Sequence, residues 1–157
     1  MNKNFIGLDS NNLGKVVEGL NKYLADLNIL YVKLHNLHWN VEGSGFFQLH
    51  AKFEELYDNI NEAFDEVAER ILTLGGRPAA SVKEYVKLAS IEELDSKGIS
   101  GDDSIEIIRK DFYYMLEQSR NILALAEEVK DQGTVDLMAN FIGNYEKTLW
   151  MINAYKA

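Results

Sequence analysis

The chain contains three histidines, His35, His38 and His50, and all of them fall within one short stretch. His50 and Glu54 stand four residues apart, as do Asp65 and Glu69. That spacing puts each pair on one face of a helix, where the two side chains can share a metal ion. Glu54 and Asp65 are eleven residues apart, which leaves them only about 20° from alignment if one helix carries both. The same eleven residues span about 16 Å along the axis, too far for a single metal centre within one chain. Two copies of this helix crossing antiparallel near Asn59 and Ile60 would bring His50 and Glu54 of one copy to Asp65 and Glu69 of the other. An isologous contact of that kind yields two equivalent sites. His38, just across a turn from His50, joins the first half-site.

Imidazole binds Fe(II) well and anionic oxygen stabilises Fe(III), so the mixture points to redox iron rather than magnesium or calcium. Each element alone has a plainer reading: a carboxylate pair on a helix is usually a solvated face, and a lone helical histidine is more often structural than a ligand, which leaves both roles open for His35. The joint pattern of histidines and acids around one crossing point is what favours metal chemistry.

Composition narrows the alternatives. The sequence has no cysteine, which rules out thiolate zinc sites, iron–sulfur clusters and disulfide scaffolds. A formal charge of −9 opposes unassisted binding to a phosphate backbone. Lys3 and Lys156 are the only basic residues flanking the helical region, so direct DNA binding is not expected. At 157 residues, with 46% hydrophobic and 26% charged residues, the chain reads as one globular domain, 1–157. No stretch approaches a membrane span and no signal-peptide pattern opens the sequence, so a cytoplasmic location with no membrane partner is expected.

The elements that must hold these residues are helical. Apolar residues recur at three- and four-residue steps in four long segments, with Pro78 the only proline. The first stripe runs from Leu13 to Leu37, with Asp9 or Ser10 placed to cap its start. After a turn at 40–45 a second stripe runs from Phe46 to Leu74 and stops at Gly75-Gly76-Arg77-Pro78. A third covers Ile105 to Val129, and a fourth, expected after Gly133, covers Met138 to Ile152. Short turns join first to second and third to fourth, whereas about two dozen residues join second to third. The expected fold is therefore all-α, a four-helix bundle with one long crossover, and 81–88 can form a short extra helix within it.

With these residues in place, the chain resembles the Dps family of mini-ferritins. The resemblance rests on His38-Trp39-Asn40-Val41-Glu42-Gly43, Phe46-Phe47-Gln48-Leu49-His50, Phe53-Glu54-Glu55-Leu56-Tyr57, Asp65-Glu66-Val67-Ala68-Glu69-Arg70 and Gly75-Gly76. It covers essentially the whole chain and implies a ferritin-like fold. It also implies a ferroxidase centre of His38, His50 and Glu54 from one subunit and Asp65 and Glu69 from its two-fold partner, with Trp39 beside the centre in a redox or packing role. Further implications are a dodecameric shell, Fe(II) oxidation preferably by hydrogen peroxide, with dioxygen the other oxidant, storage of ferric mineral and protection against oxidative damage. Iron is the only cofactor implied, with no organic one. Glu127, Glu128, Asp131 and Asp136 are candidates for a three-fold entry pore, and Glu55 for mineral nucleation.

Rival metal chemistries lack their motifs. A classical ferritin or ribonucleotide-reductase-like centre uses Glu-x-x-His twice, and a zinc protease uses His-Glu-x-x-His. Neither occurs. Two other readings are weighed against ferroxidase: a chromosome-compacting protein, which lacks lysine-rich tails here, and a shell that has lost activity, which the complete ligand set opposes.

Overall fold

The computed structural model describes residues 2–157, and among them the elements are five α-helices, one 3-10 turn and a two-residue strand pair. Helix α1 runs Gly14–Asn40, α2 Phe46–Thr73, α3 Val82–Leu88, α4 Gly101–Glu128 and α5 Gln132–Lys156. The four long helices form the bundle, and α3 lies in the crossover, as the periodicity and connection lengths predict. All eight residues of the first predicted stripe are buried, including Leu20, Leu27 and Leu34. Ser119 interrupts the α4 stripe because it meets the hydroxyl of buried Tyr23 at 2.8 Å while donating to the Met115 carbonyl. A buried hydroxyl needs such a partner, and burial also pushes the Tyr23 pKa up, which keeps the ring neutral.

The helix ends depart from expectation in two places. Asp9 does not cap α1; its side chain accepts from the Asn11 amide and caps the 3-10 turn Ser10–Asn12, so α1 begins at Gly14 without a side-chain cap. The α4–α5 break falls at Lys130, not at Gly133. Lys130 takes a left-handed φ of 62°, and the Lys130 and Asp131 amides return to the carbonyls of Glu127 and Ala126. Gly133 lies inside the first turn of α5. The stop at 75–76 is as expected: Gly75, at φ 90°, and Gly76 donate back to Leu72 and Ile71 and close α2.

The turn at 40–45 contains strand β1, Val41–Glu42, which pairs in parallel with β2, Ile99–Ser100. Alternation cannot reveal two-residue strands, so the sequence gives no sign of this pairing. It sets the start of α2 beside the start of α4, which makes these helices run the same way and requires the crossover to traverse the bundle.

Buried Asp26 of α1 fastens that crossover. Its carboxylate accepts from the Ser90 amide at 2.7 Å, the Ile91 amide at 3.0 Å, the Tyr114 hydroxyl at 2.8 Å and Lys22 Nζ at 3.2 Å. The loop's amides thus find a partner where water is excluded.

Candidate metal centre

His38 lies in the last turn of α1 and His50 near the start of α2, and the intervening turn folds the two imidazoles onto each other. Their ring centroids are 3.6 Å apart with planes 15° from parallel. Each ring is locked by the backbone of the other: His38 Nδ1 donates to the His50 carbonyl at 2.7 Å, and His50 Nδ1 donates to the His38 carbonyl at 2.7 Å. A carbonyl can only accept, so each ring carries a proton on Nδ1, and Nε2 is the nitrogen left to present a lone pair to metal. This is the outer-sphere arrangement that prepares histidines for metal. Phe46 stacks on the far face of His50 at 5.0 Å, and Tyr57 meets His38 edge-on at 5.3 Å.

Glu54 is exposed one turn beyond His50 and accepts from the Tyr57 hydroxyl at 3.3 Å. Asp65 and Glu69 are exposed on the same uninterrupted helix. The predicted axial separation of about 16 Å between Glu54 and Asp65 therefore stands. Neither Asp65 nor Glu69 enters a salt bridge among the described residues. Also among the described residues, no group of three or more His, Asp or Glu side chains is gathered closely enough to hold a metal ion. The fold thus brings His38 and His50 together and leaves Asp65 and Glu69 remote from them.

At the level of the expected crossing, Ile60 is buried in the subunit's own core. Asn59 lines a cleft toward α5 with Glu55, Glu62 and Glu66. On an α-helix, Asp58 and Asn61 share the angular sector of Glu54 and Asp65 at the midpoint level.

Trp39 is 70% exposed and leans on His35 at 5.2 Å. His35 stacks on Tyr57 at 3.8 Å, and its Nδ1 donates to the Tyr31 carbonyl at 2.9 Å. Glu55, about 100° around α2 from Glu54, is paired with Lys52 at 3.0 Å in the cleft of about 370 Å³ against α5.

Asp131 is not available to line a pore. It is 1% exposed, caps α5 through the Thr134 amide at 3.2 Å, and pairs with Arg70 Nη2 at 2.5 Å. Arg70 Nε also donates to Thr134 Oγ1 at 3.0 Å, so the guanidinium lies across the first turn of α5. A Cβ on Gly133 would come within 2.6 Å of that guanidinium, which is why glycine stands there. Glu127, Glu128 and Asp136 remain exposed, and Asp136 accepts from Gln132 Nε2 at 3.0 Å. Arg70 and Tyr57 were missed as site residues because their roles depend on partners distant in sequence or on ring orientation; both lie inside the motif runs quoted above, the one signal that marks them.

The ferritin-like domain family model matches residues 17–156. DNA protection during starvation protein 2 of Bacillus anthracis is 43% identical over 141 residues, covering 90% of this chain and 96% of the relative. General stress protein 20U of Bacillus subtilis is 39% identical over 141 residues, covering 90% of this chain and 97% of the relative. The crystal structure of a Dps protein from Vibrio cholerae O1 superposes with a TM-score of 0.95 at 43% identity, covering 100% of this chain and 98% of that one. That protein is described as a member of a broad superfamily of ferritin-like diiron-carboxylate proteins.

Proposed function

This chain belongs to the ferritin-like family as a member of its Dps group, and from that premise we propose that it is a ferroxidase that stores iron and protects against oxidative damage. Residues 1–157 act as one unit. Fe(II) is the substrate, held by His38, His50 and Glu54 of one subunit together with Asp65 and Glu69 of the partner subunit. The observation that carries this reading is the locked imidazole pair, whose two free Nε2 lone pairs suit a metal cation, while the further carboxylates that would complete its shell, Asp65 and Glu69, lie about 22 Å or more beyond His50 along α2. Two neutral nitrogens and three carboxylates suit iron as it passes from the ferrous to the ferric state.

The reaction balances simply. Two Fe(II) ions give one electron each, and hydrogen peroxide takes both electrons with two protons and leaves as two waters. Fixed imidazoles need little reorganisation when the iron charge rises. Hydrogen peroxide is the preferred oxidant and dioxygen the alternative. The ferric product collects as mineral inside a homododecameric shell, with Glu55 as a nucleating carboxylate and Glu127, Glu128 and Asp136 at the entry pore. No organic cofactor is required.

The protein acts in the cytoplasm and protects DNA indirectly, by consuming iron and peroxide. Lys156 supports that exclusion of direct binding, since Glu106 holds it at 2.6 Å, and the net charge of −9 repels phosphate. Among the described residues no helix is long and apolar enough to cross a membrane.

The deciding experiment loads the apo-protein with Fe(II) anaerobically, adds hydrogen peroxide, and follows ferric absorbance while light scattering sizes the particle. Rapid oxidation with soluble iron retained in a particle of twelve subunits is expected. A rate equal to that of free iron would overturn the proposal.

A further inference from the structure

We propose that Tyr57 is a positioning residue for Glu54, and that His35 holds Tyr57 in place rather than binding metal. The proposal rests on the reading of Glu54 as an iron ligand and deepens it.

Each of the three half-site groups in this chain has an outer partner. The carbonyl of His50 orients His38, the carbonyl of His38 orients His50, and the Tyr57 hydroxyl donates to Glu54 Oε1 at 3.3 Å. That distance is long for an O–H···O bond, as fits a carboxylate still in contact with water. The donor is nevertheless not a free rotor. Its ring lies face to face with His35, centroids 3.8 Å apart and planes 16° from parallel, and it meets His38 at 5.3 Å and Tyr31 at 6.0 Å, both edge-on. His35 is itself fixed, because its Nδ1 donates to the carbonyl of Tyr31 one turn earlier in α1. A continuous path of contacts therefore runs from the α1 backbone through His35 and Tyr57 to Glu54.

The consequence is a defined presentation of the carboxylate. With Oε1 engaged by Tyr57, Oε2 is the oxygen left for metal, and the carboxylate's rotation is restricted before metal arrives. Outer-sphere partners of this kind commonly alter metal affinity by about ten- to a hundredfold when removed. His35 gives Tyr57 a fixed plate, its ring face on Tyr57 and its Nδ1–H on the Tyr31 carbonyl.

The probe is Co(II), titrated into the assembled apo-protein and followed by its visible absorbance, with thermal unfolding measured on each variant. Glu54→Ala comes first, and Co(II) binding equal to wild type there would overturn the ligand reading itself. Given loss of binding in Glu54→Ala, Tyr57→Phe keeps the stacked ring and removes only the hydroxyl. It should weaken Co(II) by roughly tenfold with an unchanged unfolding temperature. Wild-type affinity in Tyr57→Phe would overturn the inference while leaving Glu54 as a ligand. His35→Phe preserves an aromatic plate under Tyr57 and should bind Co(II) nearly as wild type does, whereas His35→Ala should resemble Tyr57→Phe. Loss in His35→Phe as deep as in His50→Ala would make His35 a ligand and overturn its assigned role.

Discussion

The two halves of α2 carry parts of one proposed centre in opposite states of preparation. At its start, His50 is stacked, hydrogen-bonded through Nδ1 and partly buried, and Glu54 has a tyrosine donor. Towards its end, Asp65 and Glu69 stand in solvent. The difference follows from chemistry. An imidazole is prepared for metal when its tautomer and ring angle are fixed, and here neighbouring backbone carbonyls fix them. A carboxylate keeps its charge and two equivalent oxygens in water, so it can wait unpartnered until another subunit arrives. Arg70, next to Glu69, shows that the end of α2 is not loose: it anchors the last turns to α5 through Asp131 and Thr134.

The largest effect expected from breaking this division is on iron oxidation. His50→Ala and Asp65→Ala should each lower the peroxide-driven rate by about a hundredfold or more, the upper end of what losing even an outer-sphere partner costs. Mixed and reassembled, the two inactive proteins should recover roughly a quarter of the wild-type sites, because random pairing leaves one intact site in each mixed dimer. No recovery in mixed dimers shown to form would mean that the two halves do not meet.

Next in size is the anchor. Arg70→Ala leaves the Asp131 carboxylate buried without its cation and should cost about 3 kcal/mol in a urea unfolding series. Stability equal to wild type would show that the end of α2 is not held as described. A smaller loss, about 1–2 kcal/mol, is expected for Asp26→Asn, which keeps one oxygen for the Ser90 and Ile91 amides but puts an amide donor where the Tyr114 hydroxyl and Lys22 have an acceptor. Peroxide-driven oxidation should be unchanged in that variant, since Asp26 touches neither half-site. A drop comparable to that of His50→Ala would merge the two regions that the structure separates.

The smallest effect is a pH dependence far from the centre. Arg109 first and Lys156 second hold the Glu106 carboxyl down at about 2. A depressed folded-state pKa contributes stability that is fully present above the ordinary carboxylate range and is lost as pH falls toward 2. Glu106→Gln should flatten this acid limb in unfolding temperatures recorded between pH 7 and 2, lying below wild type at neutral pH and converging with it near pH 2. An acid limb identical to wild type would show that the Glu106 pairs do not form in solution.

Much of this architecture is legible in one dimension because helices report themselves by period. The α1 stripe from Leu13 to Leu37 is buried without exception, and Gly75-Gly76 ends α2 where a glycine pair should. Local spacing also placed Glu54 and Asp65 on one side of one helix. Gly133 was misread because glycine has two uses, as a left-handed residue and as an absence of bulk. Sequence suggests the first, and the guanidinium of Arg70 reveals the second. Asp131 failed as a pore candidate for the same reason, since its partner Arg70 lies 61 residues away.

By itself the sequence determined the helical class, the crossover and the set of candidate iron ligands, because these depend on side-chain type and on spacing within a turn or two. Tertiary structure alone decided that His38 and His50 face each other with Nε2 free, that Tyr57 reaches Glu54 from a ring fixed by His35, and that Asp131 is spent on Arg70. Those outcomes depend on which groups meet across the bundle and on the direction of their hydrogen bonds, and contacts between distant segments exist only once the chain is packed.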